Sequence, residues 1–196
     1  MVTSSHVKEL REKTGISVMQ CKKALEDAGG SMEKAILFLK KKGAEIATTK
    51  GHRALQAGVI ASYIHSDKKI GVLVEVLSET DFVSRNDEFR QFAEDVAMHI
   101  AAMNPLFLNE EAVTKNERQK IYESACEDAK DLQKSDIIKQ KIVDGKVAAY
   151  LKECSLLSQQ FVKEPGITIR GLLERLIQKT GENIEITRFV RFSLLK

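Results

Sequence analysis

The side chains able to do covalent chemistry are few in this sequence, and they are poorly spaced for it. His6, His52, His65 and His99 form no H-E-x-x-H or H-x-E arrangement, and no cysteine stands at metal-ligand spacing from a histidine. Cys21, Cys126 and Cys154 are odd in number, far apart and without a C-x-x-C, which argues against a disulfide framework and a zinc knuckle and fits a reducing cytosol. Gly166 to Gly171 has the glycine spacing of a phosphate loop. It continues into Leu172-Leu173, where that chemistry needs a lysine for the phosphates and a hydroxyl for magnesium. Carboxylates such as Glu9, Glu12, Glu94 and Glu127 sit within a few residues of Lys or Arg, as on solvated helix faces. No catalytic residue, metal site or cofactor site is expected. The chemistry left to the chain is recognition.

One segment has the composition for it. Ser78-Glu79-Thr80-Asp81-Phe82-Val83-Ser84-Arg85-Asn86-Asp87-Glu88-Phe89 lies between a strand pattern and a helix pattern. Two readings are open. In one, Thr80 or Asp81 caps a helical turn while Phe82 and Val83 fill the core. In the other, Phe82 protrudes from a junction held by a rigid sheet on one side and a rigid helix on the other, an aromatic wedge offered to a partner.

The elements that would hold this segment follow from periodicity. The first 43 residues read as three short helices separated by glycine stops. Val7 and Leu10 share a face before Thr14-Gly15, and Ser17 with Gln20 forms a capping box across which Ile16 and Cys21 act as a hydrophobic staple. After the Gly29-Gly30 stop, Ser31 caps a third helix bearing Ala35, Ile36 and Leu39, closed by Lys40-Lys41-Lys42 and Gly43. Residues 44–56 read as a polar, basic linker with room for a partial helix. Val59 to Ile64 and Ile70 to Leu77, β-branched and flanking Ser66-Asp67-Lys68-Lys69, predict a hairpin with Ile70, Val72, Val74 and Val76 on one face.

Phe89, Phe92, Ala93, Val96, Ala97 and Ile100 recur at helical spacing up to Asn104-Pro105. Weaker helical patterns cover roughly Lys115 to Leu132 and Asp136 to Leu151. A further helix capped by Thr168 carries Ile169, Leu172, Leu173, Leu176 and Ile177 to a stop at Thr180-Gly181. A last strand, Ile184 to Phe192, is expected to place Ile184, Ile186, Val190 and Phe192 on one face. The fold class is therefore α+β: a three-helix bundle over 1–43, a linker over 44–56, and a core over 57–196 in which helices cover a three-stranded antiparallel sheet.

Composition is consistent with this. At 196 residues, 43% hydrophobic and 30% charged, the chain suits a small domain joined to a medium one. No apolar run approaches the ~20 residues of a membrane span, and no secretory leader pattern opens the sequence, so a cytoplasmic protein is expected. A net charge of +3, from 31 basic against 28 acidic residues spread along the chain, lacks the concentrated positive face of a nucleic-acid protein.

Thr80-Asp81-Phe82-Val83 followed by Arg85-Asn86 resembles the signature of the elongation factor Ts family, and the likeness spans almost the whole chain. Val7 to Gly15 with Cys21-Lys22-Lys23-Ala24-Leu25 is similar to that family's ubiquitin-associated-like bundle. Ile70 to Glu75 resembles its hairpin, and Ala97-Met98-His99-Ile100-Ala101-Ala102 with Pro105 its long core helix. Leu156-Leu157, Gln159, Phe161-Val162-Lys163 and Arg188 to Phe192 match near the end. Departures fall at Ser17-Val18-Met19-Gln20, where the family favours G-M-M-D, and at Ser158 and Gln160, where it favours an acidic residue and a proline.

The resemblance implies a nucleotide exchange factor for elongation factor Tu, without covalent chemistry of its own. Thr80, Asp81, Phe82 and Val83 would dislodge the partner's magnesium. Arg11, Val18 and Met19 would grip a neighbouring helix, with His99 as a further partner contact. A short form with a single core subdomain is expected to be a homodimer, with no direct nucleic-acid or membrane partner. Three alternatives remain: an adapter acting through residues 1–43 alone, an RNA- or ribosome-binding protein using Lys40-Lys41-Lys42 and Lys50 to Arg53, recognisable by steep salt dependence, and an enzyme for which the sequence offers no constellation.

Overall fold

The computed structural model describes residues 2–50, 54–130 and 135–194. Element order is α1 Ser4–Thr14, α2 Val18–Asp27, α3 Met32–Lys50, β1 Ala57–Ile64, β2 Ile70–Ser78, α4 Asp81–Ser84, α5 Asp87–Met103, α6 Lys115–Ala129, α7 Asp136–Cys154, α8 Ile169–Thr180 and β3 Ile184–Ser193. Two short 3-10 turns lie at Glu110–Ala112 and Leu156–Ser158. The three strands form one antiparallel sheet in the order β1-β2-β3, so the α+β reading stands. The chain divides into two compact units. One comprises residues 1–61, 74–94 and 171–187; the other comprises residues 62–73, 95–170 and 188–196.

In the first unit, α1, α2 and α3 close around Val7, Leu10, Ile16, Cys21, Ala24, Leu25, Ala35 and Leu39. The glycine stops after α1 and α2 and the Ser17 cap form as expected, but the capping box is only half made, because Gln20 Oε1 is buried without a hydrogen-bond partner. Gly15 ends α1 in the left-handed region at φ 69°, its N–H bonded to the Arg11 carbonyl, a conformation that favours glycine. The Ser17 hydroxyl accepts from the Gln20 N–H, and Ile16 and Cys21 are buried across that cap. Gly29 and Gly30 take φ 62° and 86° beyond the end of α2.

The third helix departs from expectation. It does not close at Gly43 but runs on to Lys50, through residues read from the sequence as linker; residues 51–53 of that linker lie outside the described residues. Gly43 serves packing. A Cβ there would lie 3.2 Å from the Glu174 carbonyl and 3.3 Å from Gln178 Oε1, so the absent side chain lets α3 pass close to α8.

The hairpin turn Ser66 to Lys69 is shaped by Lys68 in the left-handed region and by the Asp67 carboxylate accepting from the Lys69 N–H at 2.9 Å. On β2, Val72, Val74 and Val76 are buried as expected, and on α5 so are Phe89, Phe92, Ala93, Val96, Ala97 and Ile100. Strand β3 corrects the expected alternation. Ile184 and Ile186 are buried, but Val190 and Phe192 are exposed, while the Arg191 guanidinium reaches the Ala101 carbonyl at 3.2–3.3 Å. The inward parity therefore switches between Thr187 and Arg191, and the four apolar residues do not share a face. In the second unit, α6 and α7 form a helical hairpin around Ala125, Ala129 and Val143, with Tyr122, Cys126 and Val147 packed beside them.

Candidate partner-binding site

The segment between β2 and α5 folds into the single helical turn α4, and its side chains divide sharply. Val83 is 4% exposed and Ser84 is buried, so the base of the turn is anchored; Phe82 is 84% exposed, its ring turned to solvent. The turn is packed through Val83, as the first reading expects, and Phe82 protrudes, as the second expects. Asp81 is also exposed, its carboxylate 3.5 Å from Arg85 across one helical step, an exposed pair of little energetic weight.

The frame around the turn is hydrogen-bonded throughout. Ser78 Oγ, fully buried, donates to the Thr80 carbonyl at 3.1 Å; Ser84 Oγ donates to the Asp81 carbonyl at 3.1 Å; the Asn86 side chain accepts from the Glu88 N–H at 2.8 Å to open α5. Thr80 occupies the N-cap position with extended backbone, but its hydroxyl makes no cap bond. It donates instead to Glu182 Oε1 at 2.6 Å, and the Thr80 N–H donates to Glu182 Oε2 at 3.0 Å. The Asn183 N–H donates to Glu79 Oε1 at 2.6 Å. Glu79, Glu182 and Asn183 escaped the sequence reading because nothing local marks a contact spanning about a hundred residues; only the Thr180-Gly181 stop signalled that a chain reversal lies there.

On the bundle, Arg11, Val18 and Met19 are all exposed, Met19 at 83% and Val18 at 49%. Arg11 and Val18 are brought together: with Val7, Lys8 and Lys22 they line a surface depression of about 360 Å³. Met19 stands one residue further along α2 and is not part of that lining.

His99 is corrected. Expected as a partner contact, it is 0% exposed on α5. Its Nδ1 accepts from the Val162 N–H at 3.3 Å, which makes Nε2 the protonated nitrogen donating to Gln159 Oε1 at 2.9 Å, and Gln159 in turn donates to the Glu153 carbonyl at 2.6 Å. Burial lowers its pKa below the ordinary value, opposed in part by the Gln159 bond. A neutral, saturated imidazole is a structural pin for residues 159–162 and has no free face to present.

Phe82 thus stands exposed on a turn fixed at both ends, and Val18 and Met19 are exposed on the bundle. A family model described as elongation factor TS matches residues 6–196. The chain belongs to the elongation factor Ts family. It is 47% identical over 194 residues to the elongation factor Ts of Carboxydothermus hydrogenoformans, covering 99% of this chain and 89% of that one. It is 48% identical over 193 residues to that of Alkaliphilus metalliredigens (98% and 89%), and 48% identical over 197 residues to that of Nitratidesulfovibrio vulgaris (98% and 96%). Membership of the elongation factor Ts family places the chain in protein biosynthesis at the elongation step, as a nucleotide exchange factor for elongation factor Tu.

Proposed function

We propose that this chain promotes GDP release from elongation factor Tu by inserting the turn Thr80-Asp81-Phe82-Val83 beside the partner's magnesium site, while Arg11, Val18 and Met19 on the bundle grip an adjacent surface. In domain terms, residues 1–43 act as the grip and residues 57–196 as the body that carries the wedge, with 44–56 between them. The observation that supports the reading is the 84% exposure of Phe82 directly beside a Val83 that is 4% exposed. An apolar ring held out by a packed backbone loses little conformational freedom on entering a partner, so most of its burial free energy is available for the task.

Magnitude supports a wedge aided by a second contact. Burying one phenylalanine is worth about 1.5–3 kcal/mol, and each ~1.4 kcal/mol is tenfold in rate. Phe82 thus accounts for roughly ten- to a hundredfold, and the grip carries the remainder. Asp81 brings a carboxylate to a cation site, where it competes electrostatically for the ion and for the groups that hold it. The decisive test is stopped-flow release of a fluorescent GDP from elongation factor Tu: Phe82→Ala slows the stimulated rate at least tenfold, and an unchanged rate refutes the wedge.

The same reading includes a second copy of the chain as partner. Ile64, Leu73, Val190 and Phe192 are exposed on the outer sheet face, an apolar patch suited to self-association. Sedimentation showing a dimer that Phe192→Asp converts to monomer supports it, and a monomer at all concentrations refutes it.

A further inference from the structure

The wedge has a support outside its own segment. Glu182, half-buried in the turn after α8, uses both carboxylate oxygens on Thr80, one on the backbone N–H and one on the hydroxyl. Its own placement is fixed. Gly181 leaves α8 in the left-handed region at φ 73°, its N–H donating to the Ile177 carbonyl at 2.8 Å. The Glu182 N–H donates to Thr180 Oγ1 at 3.3 Å, and the Thr180 hydroxyl is held by the Leu176 carbonyl at 3.0 Å. The return bond from the Asn183 N–H to Glu79 makes the clasp reciprocal, each strand end supplying a carboxylate to the other's backbone.

This geometry is a capping interaction supplied from across the fold. Thr80 is the N-cap residue of α4, and in an isolated helix its hydroxyl would turn inward onto the helix N–H groups. Glu182 takes that hydroxyl away and locks the Thr80 backbone in the extended conformation, φ −130°, ψ 156°. Thr80 precedes Phe82 by two residues, so this lock sets the direction in which the ring leaves the surface. Charge-assisted bonds to a carboxylate are shorter and stronger than neutral ones, as the 2.6 Å contact illustrates.

We propose that Glu182 is a positioning residue for nucleotide exchange: it makes no contact with the partner, and by clamping Thr80 it holds Phe82 in the orientation that enters the partner. The inference rests on the wedge reading above, and the two are separable by experiment. Stimulated release of fluorescent GDP is followed for the full-length chain carrying Glu182→Ala, Glu182→Gln, Thr80→Val, the pair Glu182→Ala with Thr80→Val, and Phe82→Ala, with the maximal rate and the half-saturating concentration read separately. Glu182→Ala lowers the maximal rate at least fivefold with less than a twofold change in half-saturation. Glu182→Gln, which keeps an acceptor for Thr80, recovers more than half of the loss. The double substitution is no slower than the slower of its two components, because both act on one clamp.

A maximal rate for Glu182→Ala within twofold of the native chain, while Phe82→Ala is slowed tenfold, overturns the positioning role and leaves the wedge standing. Additive losses in the double substitution, or no recovery by Gln, overturn it as well. An unslowed Phe82→Ala removes the wedge and with it the basis for the clamp. Should Glu182→Ala fold poorly, Glu182→Gln, Thr80→Val and the pair combining them decide the question: a pair no slower than its slower component supports the clamp, and additive losses overturn it.

Discussion

Phe82 and Val83 are adjacent apolar side chains with opposite environments, and substituting each separates recognition from stability. Truncating an exposed residue leaves the folded and unfolded states nearly equally solvated, so Phe82→Ala shifts stability by less than about 0.5 kcal/mol. Truncating Val83 removes two buried methyl groups, at ~0.8 kcal/mol each, and leaves a small cavity, for a cost of about 2 kcal/mol. In a chain of this length that is a fall in Tm of roughly 4–8 °C. Calorimetry on the two variants checks the pair: Phe82→Ala melts with the native chain, Val83→Ala below it. Equal melting temperatures would mean that the turn is not anchored through Val83. At this scale the sequence was informative about type and silent about direction. An aromatic–aliphatic pair beside a cap is compatible with either residue facing in; the choice is made by Ser78, Ser84 and Glu182, whose bonds fix how the turn is rotated.

Among the elements, the strongly periodic ones were legible and those shaped by distant neighbours were not. Helix α5 buries every apolar position its period assigns, and strand β2 all but the half-buried Ile70 at its start, because each is long enough for one face to dominate. Helix α3 ran past its expected stop because a glycine at close approach is indistinguishable, in one sequence, from a glycine at a terminus. Gly43→Val tests that account: the branched side chain meets the Glu174 backbone and Gln178, and overpacking of this kind costs about 1–3 kcal/mol, read as a lowered midpoint in urea with the slope unchanged. Strand β3 was misread because period-2 reasoning assumes that parity never changes.

His99 was expected as a contact through the family resemblance alone, while its apolar neighbours on the helix favour packing; the partners that hold it lie some sixty residues further along the chain. Its depressed pKa has a pH consequence. Below the ordinary value of 6.5 the unfolded chain binds a proton that the folded chain resists, so the contribution of His99 is complete above pH ~7.5 and erodes as pH falls through 6.5 toward the lowered folded value. The groups against it are the uncharged Gln159 amide, the Val162 N–H and the Phe161 ring, none of which titrates in this range. Tm measured from pH 7.5 to 5.5 therefore drops more for the native chain than for His99→Gln, and parallel profiles would show that the histidine is protonated in the folded state.

For the molecule as a whole, the important feature is that the bundle and the wedge belong to the same compact unit, joined through α8. The Lys179 amine bonds Glu88 in the first turn of α5 at 2.8 Å, and a Cβ at Gly15 would fall on the Lys179 side chain, so this lysine lies against the end of α1 and the start of α5 together. A body that ties both contact regions can distribute binding free energy between holding and displacing. Linkage states the division: a factor that weakens nucleotide affinity by some ratio must bind the nucleotide-free partner more tightly than the GDP form by that same ratio. On the proposed division, grip residues would touch the partner in both forms and contribute equally to each, which changes affinity but not the ratio; wedge residues would gain their contacts only as the nucleotide site opens, which changes the ratio. Met19→Ala should therefore weaken binding to the GDP-bound and nucleotide-free forms of elongation factor Tu by a similar factor, about three- to tenfold for one exposed methionine losing its contact, with the maximal exchange rate preserved at saturation. Phe82→Ala should weaken the nucleotide-free complex at least tenfold more than the GDP complex and lower the maximal rate with it. Titration calorimetry of both variants against both forms measures the two ratios directly. If Met19→Ala changed the ratio as much as Phe82→Ala, the bundle would be part of the displacing device, and the assignment of gripping to one region and displacement to the other would have to be abandoned.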